Sequence, residues 1–195
     1  MNKILLATGA LLLALPALGA VTVPYSSDIG ASNGFDTGWS IVNNGNRRAQ
    51  SFTVDRSSDF TTPGTSFGIC HQYDSEYAAN CWAISPAITL EAGTTYTVSV
   101  WTKTRGADSE KFEVMTAAGD TPEAFTNGGT TLLRNEFYKH PDDFEKQELT
   151  FTPTAAGDYH FAIHCFSDAN SFEFGVTGFS VTSGNGGDTP VDPDA

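Results

Sequence analysis

Beyond its first twenty residues the chain has no run of eighteen apolar residues, which excludes a membrane-spanning helix. Basic residues are few, ten against twenty-three acidic ones. A surface of that balance repels phosphate backbones and anionic lipid, which argues against nucleic acid and membranes as partners, and the acidity itself reads as a solubilising surface. Neither a Walker loop nor a dinucleotide fingerprint is present, which removes the phosphate-binding classes those motifs mark. Sustained 3.6-residue periodicity with caps is also missing; the best helical stretch, "DTPEAFTNG" at 120–128, amounts to one or two turns.

Cysteine is scarce too. The three, Cys70, Cys81 and Cys165, include no C-x-x-C spacing. In an oxidising compartment they predict one disulfide and one odd thiol, with Cys70 and Cys81 as the pair because the intervening "HQYDSEYAAN" can return a strand antiparallel to itself. A zinc site would recruit His71 or His164. Each is the direct neighbour of a cysteine, however, and neighbours on a strand point to opposite faces, so this reading goes against a metal.

What the chain does have begins with "MNKILLATGALLLALPALGA", residues 1–20: a single lysine, a short Leu/Ala run and small residues at the end. This is the pattern of an export signal cleaved after Ala20, although Leu18 occupies a position where a small residue is preferred. Lys3 is the only charge lost with it, leaving nine basic and twenty-three acidic residues and a net charge of −14. Residues 21–182 have the length of one domain with a sizeable core. From 183 the text becomes "SGNGGDTPVDPDA", the composition of a flexible acidic linker or tail.

Strict alternation dominates the domain. Tyr96, Val98 and Val100 alternate with Thr95, Thr97 and Ser99; Tyr159, Phe161, Ile163 and Cys165 alternate with His160, Ala162 and His164; Phe172, Phe174 and Val176 repeat the pattern. The first two runs open with Ala-Gly turns. Further strands are expected at 49–55, 66–73, 111–116, 147–153 and 178–182. Many short strands bounded by turn residues, with fourteen phenylalanines to fill a layer between facing sheets, predict an all-β, jelly-roll-like antiparallel β-sandwich. Trp39 and Trp82 read as core anchors.

Catalytic patterns are weak. Gly64–Gly68 satisfies G-x-S-x-G, but a nucleophile elbow needs a helix after the serine and a strand-like "FGICHQY" follows. Ser66 reads as a residue at the start of a strand. The carboxylate pairs Asp142/Asp143 and Asp74/Glu76 read as solvated loops, because a glycosidase pair must face each other across a bond from different elements. No catalytic residue is assigned. Rings outside the core pattern are the better candidates, since flat aromatics stack on sugar faces while neighbouring polar groups set orientation. Trp101, Tyr73, Tyr77 and Tyr138 are the expected ligand-binding rings: Trp101 falls out of phase with its strand's core face, Tyr73 and Tyr77 lie in the 71–80 loop, and Phe137 and Tyr138 in a second long connection.

"CWAISPAITLEAGTTYTVSVW", residues 81–101, resembles the segment that marks choice-of-anchor J and cleaved-adhesin modules: a Trp, an Ile-Ser-Pro, a strand, an Ala-Gly turn and an alternating strand. "FEVMTAAGDTPEAF" at 112–125 and "GDYHFAIHCFSDANSFEFGVTGFSV" at 157–181 resemble further stretches of the same family, in order, so that the likeness runs from about Tyr25 to Val181. In that likeness Trp82 and Ile84 plug the sandwich. The resemblance implies a jelly-roll module of exported bacterial proteins, adhesive or carbohydrate-binding, found beside other domains and acting at the cell surface or outside the cell. Its partners would be a glycan or an extracellular protein, with several copies or neighbouring domains compensating for weak single-site affinity. The alternative is a structural module packing against another domain or subunit. The resemblance also implies a structural calcium. Asp28 matches one ligand position of that site, but Thr177 and Gly178 stand where an acidic pair belongs, so no cofactor is expected.

Overall fold

The structure, a computed structural model, describes residues 19–46, 51–57, 61–62, 65–106 and 108–184. The expected export signal, apart from Gly19 and Ala20, and the acidic tail beyond Gly184 lie outside the described residues, as do Pro63 and Gly64 of the G-x-S-x-G stretch. Among the described residues, no helix is long and apolar enough to cross a membrane.

In chain order the strands begin with β1 (Val21–Thr22), β2 (Tyr25–Ser27), β3 (Gly30–Ala31), β4 (Gly34–Phe35), β5 (Ser40–Asn43) and β6 (Phe52–Asp55). Then follow β7 (Gly68–His71), β8 (Cys81–Ile84), β9 (Ile88–Leu90), β10 (Tyr96–Arg105) and β11 (Glu110–Ala117). One helix, α1 (Pro122–Gly128), precedes β12 (Thr130–Tyr138), β13 (Glu145–Phe151), β14 (Gly157–Cys165) and β15 (Glu173–Ser183). The strands form a seven-stranded sheet ordered β1-β9-β14-β11-β12, with β8 also on β14 and β5 on β8, a six-stranded sheet ordered β13-β10-β15-β7-β6, with β2 also on β15, and a separate β3-β4 pair. Among the described residues all pairings but the short parallel β1–β9 contact are antiparallel, so the all-β sandwich expected from the alternation is what the chain forms.

The core lies between the sheets. Val98 and Val100 of β10, Phe174, Val176, Phe179 and Val181 of β15, and Ile69 of β7 face Phe112 and Val114 of β11, Phe161 and Ile163 of β14, and Ile88 and Leu90 of β9. Phe161 is fully buried, and cutting such a ring to Ala typically costs about 3–5 kcal/mol.

Two sequence features gain a physical explanation. In "AISPAI" the proline breaks one apolar run into β8 and β9, yet both pair with β14. Ser85 bridges the gap: its N–H donates to the Phe161 carbonyl at 2.8 Å and its hydroxyl accepts from the Phe161 N–H at 2.9 Å. The second is a register shift where Ser99 pairs Ser180 but Trp101 pairs Thr177, leaving one residue of β10 opposite two of β15. This bulge re-phases β15, so that Val176 and Phe179, three apart, both reach the core. Gly178, at φ +59°, supplies the left-handed conformation the bulge uses.

Helix α1 occurs where "DTPEAFTNG" predicts it. Thr121 caps it by accepting from the Ala124 N–H, and Pro122 opens the first turn. It lays Phe125 over Trp82, the two rings stacked at 5.9 Å. Trp82 is therefore buried, but with Ile84 it belongs to a second cluster between the outer face of the seven-stranded sheet and α1, not to the core between the sheets. Cys81 and Ala83 are the inward residues of β8. The plug between the sheets comes instead from Trp39, set edge-on to Phe179 at 5.2 Å.

Candidate functional site

The outer face of the six-stranded sheet carries an open site that includes a ring expected from the sequence. Trp101 leaves β10 on this face, half-buried, beside Lys103. The bulge brings Gly178 directly beneath it: a Cβ at that position would lie 2.8 Å from Trp101 Cδ1. The indole thus lies over bare backbone and stays partly accessible. Trp101 and Lys103 line a hollow of about 530 Å³ together with Thr61, Thr62, Asp142, Asp143 and Phe144. The Lys103 ammonium sits 5.9 Å from the Phe144 ring centroid. Two rings flanked by hydroxyls, two exposed carboxylates and an ammonium can stack on an apolar sugar face and hydrogen-bond its rim. Phe144, Asp142 and Asp143 were missed as ligand groups because their loop shows no periodicity that would place it beside β10.

The other expected rings separate. Tyr73 is 40% exposed; it packs on Phe172 at 5.7 Å and its hydroxyl donates to Asn170 Oδ1 at 3.0 Å. Tyr77 is half-buried in the same loop, whose turn is held by Asp74, a carboxylate that accepts the backbone N–H groups of Glu76 and Tyr77. These two form a region apart from the lining of the Trp101 hollow. Tyr138 is corrected: it ends β12, is 4% exposed, and is a core residue. Its hydroxyl donates to the Thr102 carbonyl at 2.8 Å and accepts from Thr102 Oγ1 at 2.9 Å, and burial pushes its pKa up. The residue expected in a loop is inward because 130–138 is a strand. Its neighbour Phe137 faces out, 82% exposed.

The Cys70–Cys81 disulfide is also corrected. All three cysteines are free thiols. Strands β7 and β8 do not form a hairpin; they belong to opposite sheets, and Cys81 stands opposite Cys165 of β14 in the ladder. Cys70 lies on the other face of its strand from Ile69 and His71, with Glu173, Arg105 and Asp55 around it, and burial first of all raises its pKa.

Asp28 does not fit a calcium cage. Its Oδ2 accepts the Ser66 N–H at 2.9 Å; nearby Asp36 accepts from the Ser27 hydroxyl and the Thr37 N–H. Thr177 donates its hydroxyl to the Phe67 carbonyl, and Gly178 has no side chain. Calcium needs about six to eight oxygens, carboxylates among them. Among the described residues Asp28 joins no group of three or more potential metal ligands. The Ser66 contact also fits a loop-to-strand junction, since β7 and not a helix follows it.

A row across the outer face of the seven-stranded sheet was not foreseen. Glu113 accepts from Arg134 at 2.7 Å and bonds His164 Nδ1 at 2.8 Å, while His164 stacks on Trp82 at 3.6 Å and 8°. These residues are cross-strand partners in register, so the row follows from pairing that a single sequence does not reveal. Burial alone would raise the Glu113 pKa, but the hydrogen bonds from His164 and Arg134 outweigh it and hold it below the ordinary carboxylate value.

No family model matches the chain, and no curated protein matches it. Solved structures do. The K1 cleaved adhesin domain of Lys-gingipain from Porphyromonas gingivalis W83 superposes with a TM-score of 0.61 at 12% identity, covering 83% of this chain and 98% of that one. TmCBM61, solved in complex with beta-1,4-galactotriose, gives 0.59 at 14% identity over 83% of this chain and 99% of that one. The C-terminal family 22 carbohydrate binding module of Clostridium thermocellum Xyn10B gives 0.52 at 16% identity, covering 82% and 92%. At these identities the likeness establishes the fold: a β-sandwich of the kind adopted by adhesin domains and carbohydrate-binding modules.

Proposed function

We propose that this chain is a non-catalytic, exported module that binds a glycan on the outer face of its six-stranded sheet. The observation that carries the reading is Trp101, laid over Gly178 at the rim of a 530 Å³ hollow with Phe144, Lys103, Asp142 and Asp143. The size suits a short run of sugar units, and the superposition on a module solved with a galactotriose supports the ligand class. Trp101 supplies the stacking surface, Phe144 a second apolar edge, and Lys103 with the two aspartates the directional hydrogen bonds. Tyr73 and Tyr77 extend contact to a longer or branched ligand from their separate loop. So open a surface gives weak single-site binding, and attachment gains from several copies or neighbouring domains.

The test is a glycan array probed with the wild type, Trp101→Ala and Tyr77→Ala. The expected result is a defined glycan set lost with Trp101→Ala and weakened with Tyr77→Ala. A silent array together with a stable oligomer in solution would instead favour an assembly module. One observation points that way: Phe137, 82% exposed, stands on β12 at the open edge of the seven-stranded sheet, where a partner strand could add.

A further inference from the structure

His71 is 3% exposed, and neither ring nitrogen has a hydrogen-bond partner. A buried polar group left in this way is costly, and in native proteins it usually marks an unseen water, ion or function. It shares the inner face of β7 with Ile69 and points across the sandwich at β8 and β14. There it meets Cys81 and Cys165, both fully buried, with one ligand atom from each of the three residues lying within 4.8 Å of the others. Cys81 and Cys165 are ladder partners in the seven-stranded sheet, whereas His71 comes from the six-stranded one. The adjacency that argued against a metal from the sequence holds for Cys70 and His71; the cysteines that His71 reaches come from elsewhere in the chain.

We propose that His71, Cys81 and Cys165 form a buried site for one soft divalent ion of the zinc class, which ties the two sheets together. Imidazole and thiolate are the donors such an ion prefers. Burial holds the imidazole neutral, its pKa lowered to about 4, so a ring nitrogen is free to coordinate. The charge also balances: two thiolates and a divalent cation sum to zero, as a buried site demands, whereas a monovalent ion would leave a buried negative charge. On loading, the two thiol protons leave to solvent and two metal–sulfur bonds and one metal–nitrogen bond form. Zinc–ligand bonds of about 2.0–2.3 Å place tetrahedral donors roughly 3.5–3.8 Å apart, so the three side chains need to close inward by no more than about 1 Å. The remaining position falls to a water or to the buried Ser167 hydroxyl, 3.4 Å from Cys165 Sγ.

The experiment uses the tag-free full chain purified without chelator. It combines metal analysis, titration of the apoprotein with Co²⁺ and Zn²⁺, and thiol counting on denatured, unreduced protein. The expected result is one ion per chain, a thiolate-to-cobalt charge-transfer band and three free thiols after metal removal. His71→Leu and Cys81→Ser should abolish the band and weaken zinc binding by at least about 100-fold, while Cys70→Ser leaves both intact. Zinc should raise the melting temperature of the wild type and not of His71→Leu. Without metal, His71→Leu should melt no lower than the wild type, because it removes the two unpartnered nitrogens and keeps the volume; that comparison separates a lost ligand from a damaged core. Absence of the band in a folded wild type, a band surviving in His71→Leu, or a single free thiol per chain, signifying a Cys81–Cys165 disulfide, would overturn the proposal.

Discussion

Replacing Gly178 by Ala tests the link between the β15 bulge and the binding face. Two costs combine. A residue with a Cβ held at φ +59° pays about 1–2 kcal/mol relative to its ordinary conformation. The new methyl would also lie 2.8 Å from Trp101 Cδ1, where carbon atoms settle at about 3.5–4.0 Å. Thr65 Cγ2, 3.6 Å away, limits retreat in that direction, so Trp101 must turn. An off-rotamer side chain costs about 0.5–1.5 kcal/mol. The expected loss is about 2 kcal/mol, a fall of about 1 M in the urea midpoint at a typical slope of about 2 kcal/mol/M, accompanied by a change in tryptophan emission and loss of glycan binding. In the double variant Trp101→Ala/Gly178→Ala the steric part vanishes and the backbone part stays, so a cycle should give a coupling of about 1 kcal/mol. A Gly178→Ala protein with wild-type midpoint and emission would refute the reasoning.

Other outcomes follow from the same geometry. Trp101→Ala alone should remove glycan binding in a folded protein whose urea midpoint falls by about 1 M, as an outer-face ring more than half buried is lost; retained binding would move the site elsewhere. Tyr138→Phe should cost about 1 kcal/mol through its two bonds to Thr102 and leave glycan binding unchanged in titration; lost binding with unchanged stability would contradict its place in the core. Glu113, whose folded pKa is depressed, contributes stability that is fully present above its unfolded value near pH 4.3 and is lost as pH falls through the lower folded value. Glu113→Gln should therefore lower stability near neutrality and flatten its decline below about pH 4, read from urea midpoints across that range; an acid limb of unchanged slope would refute the network's role.

Much of the fold was legible because a strand's side-chain period is two. The alternation of Tyr96, Val98 and Val100, and of Phe161, Ile163 and Cys165, marks a core-facing row whatever the strand's neighbours are. Local chemistry likewise wrote the short helical stretch at 120–128, the Gly93 turn at φ +74° and the Pro86 interruption. Trp101 was legible as an outer ring for the same reason of phase. Periodicity does not say which strands pair, nor which sheet each joins. Trp82 and Cys81 alternate whether the outer face of β8 is wet or, as here, covered by α1.

The sequence by itself determined an all-β chain, the inward rows of most strands, and an acidic surface with aromatic residues to spare. Only the tertiary structure decided that β7 and β8 part into opposite sheets, which undoes the Cys70–Cys81 pair, sets Cys81 opposite Cys165 and brings His71 to both across the sandwich. It likewise decided that Tyr138 turns inward and that Phe144 joins Trp101. The physical reason is range: alternation and capping act over a few residues, whereas contacts across a sandwich join segments far apart in sequence, through a topology chosen by the packing of the whole core.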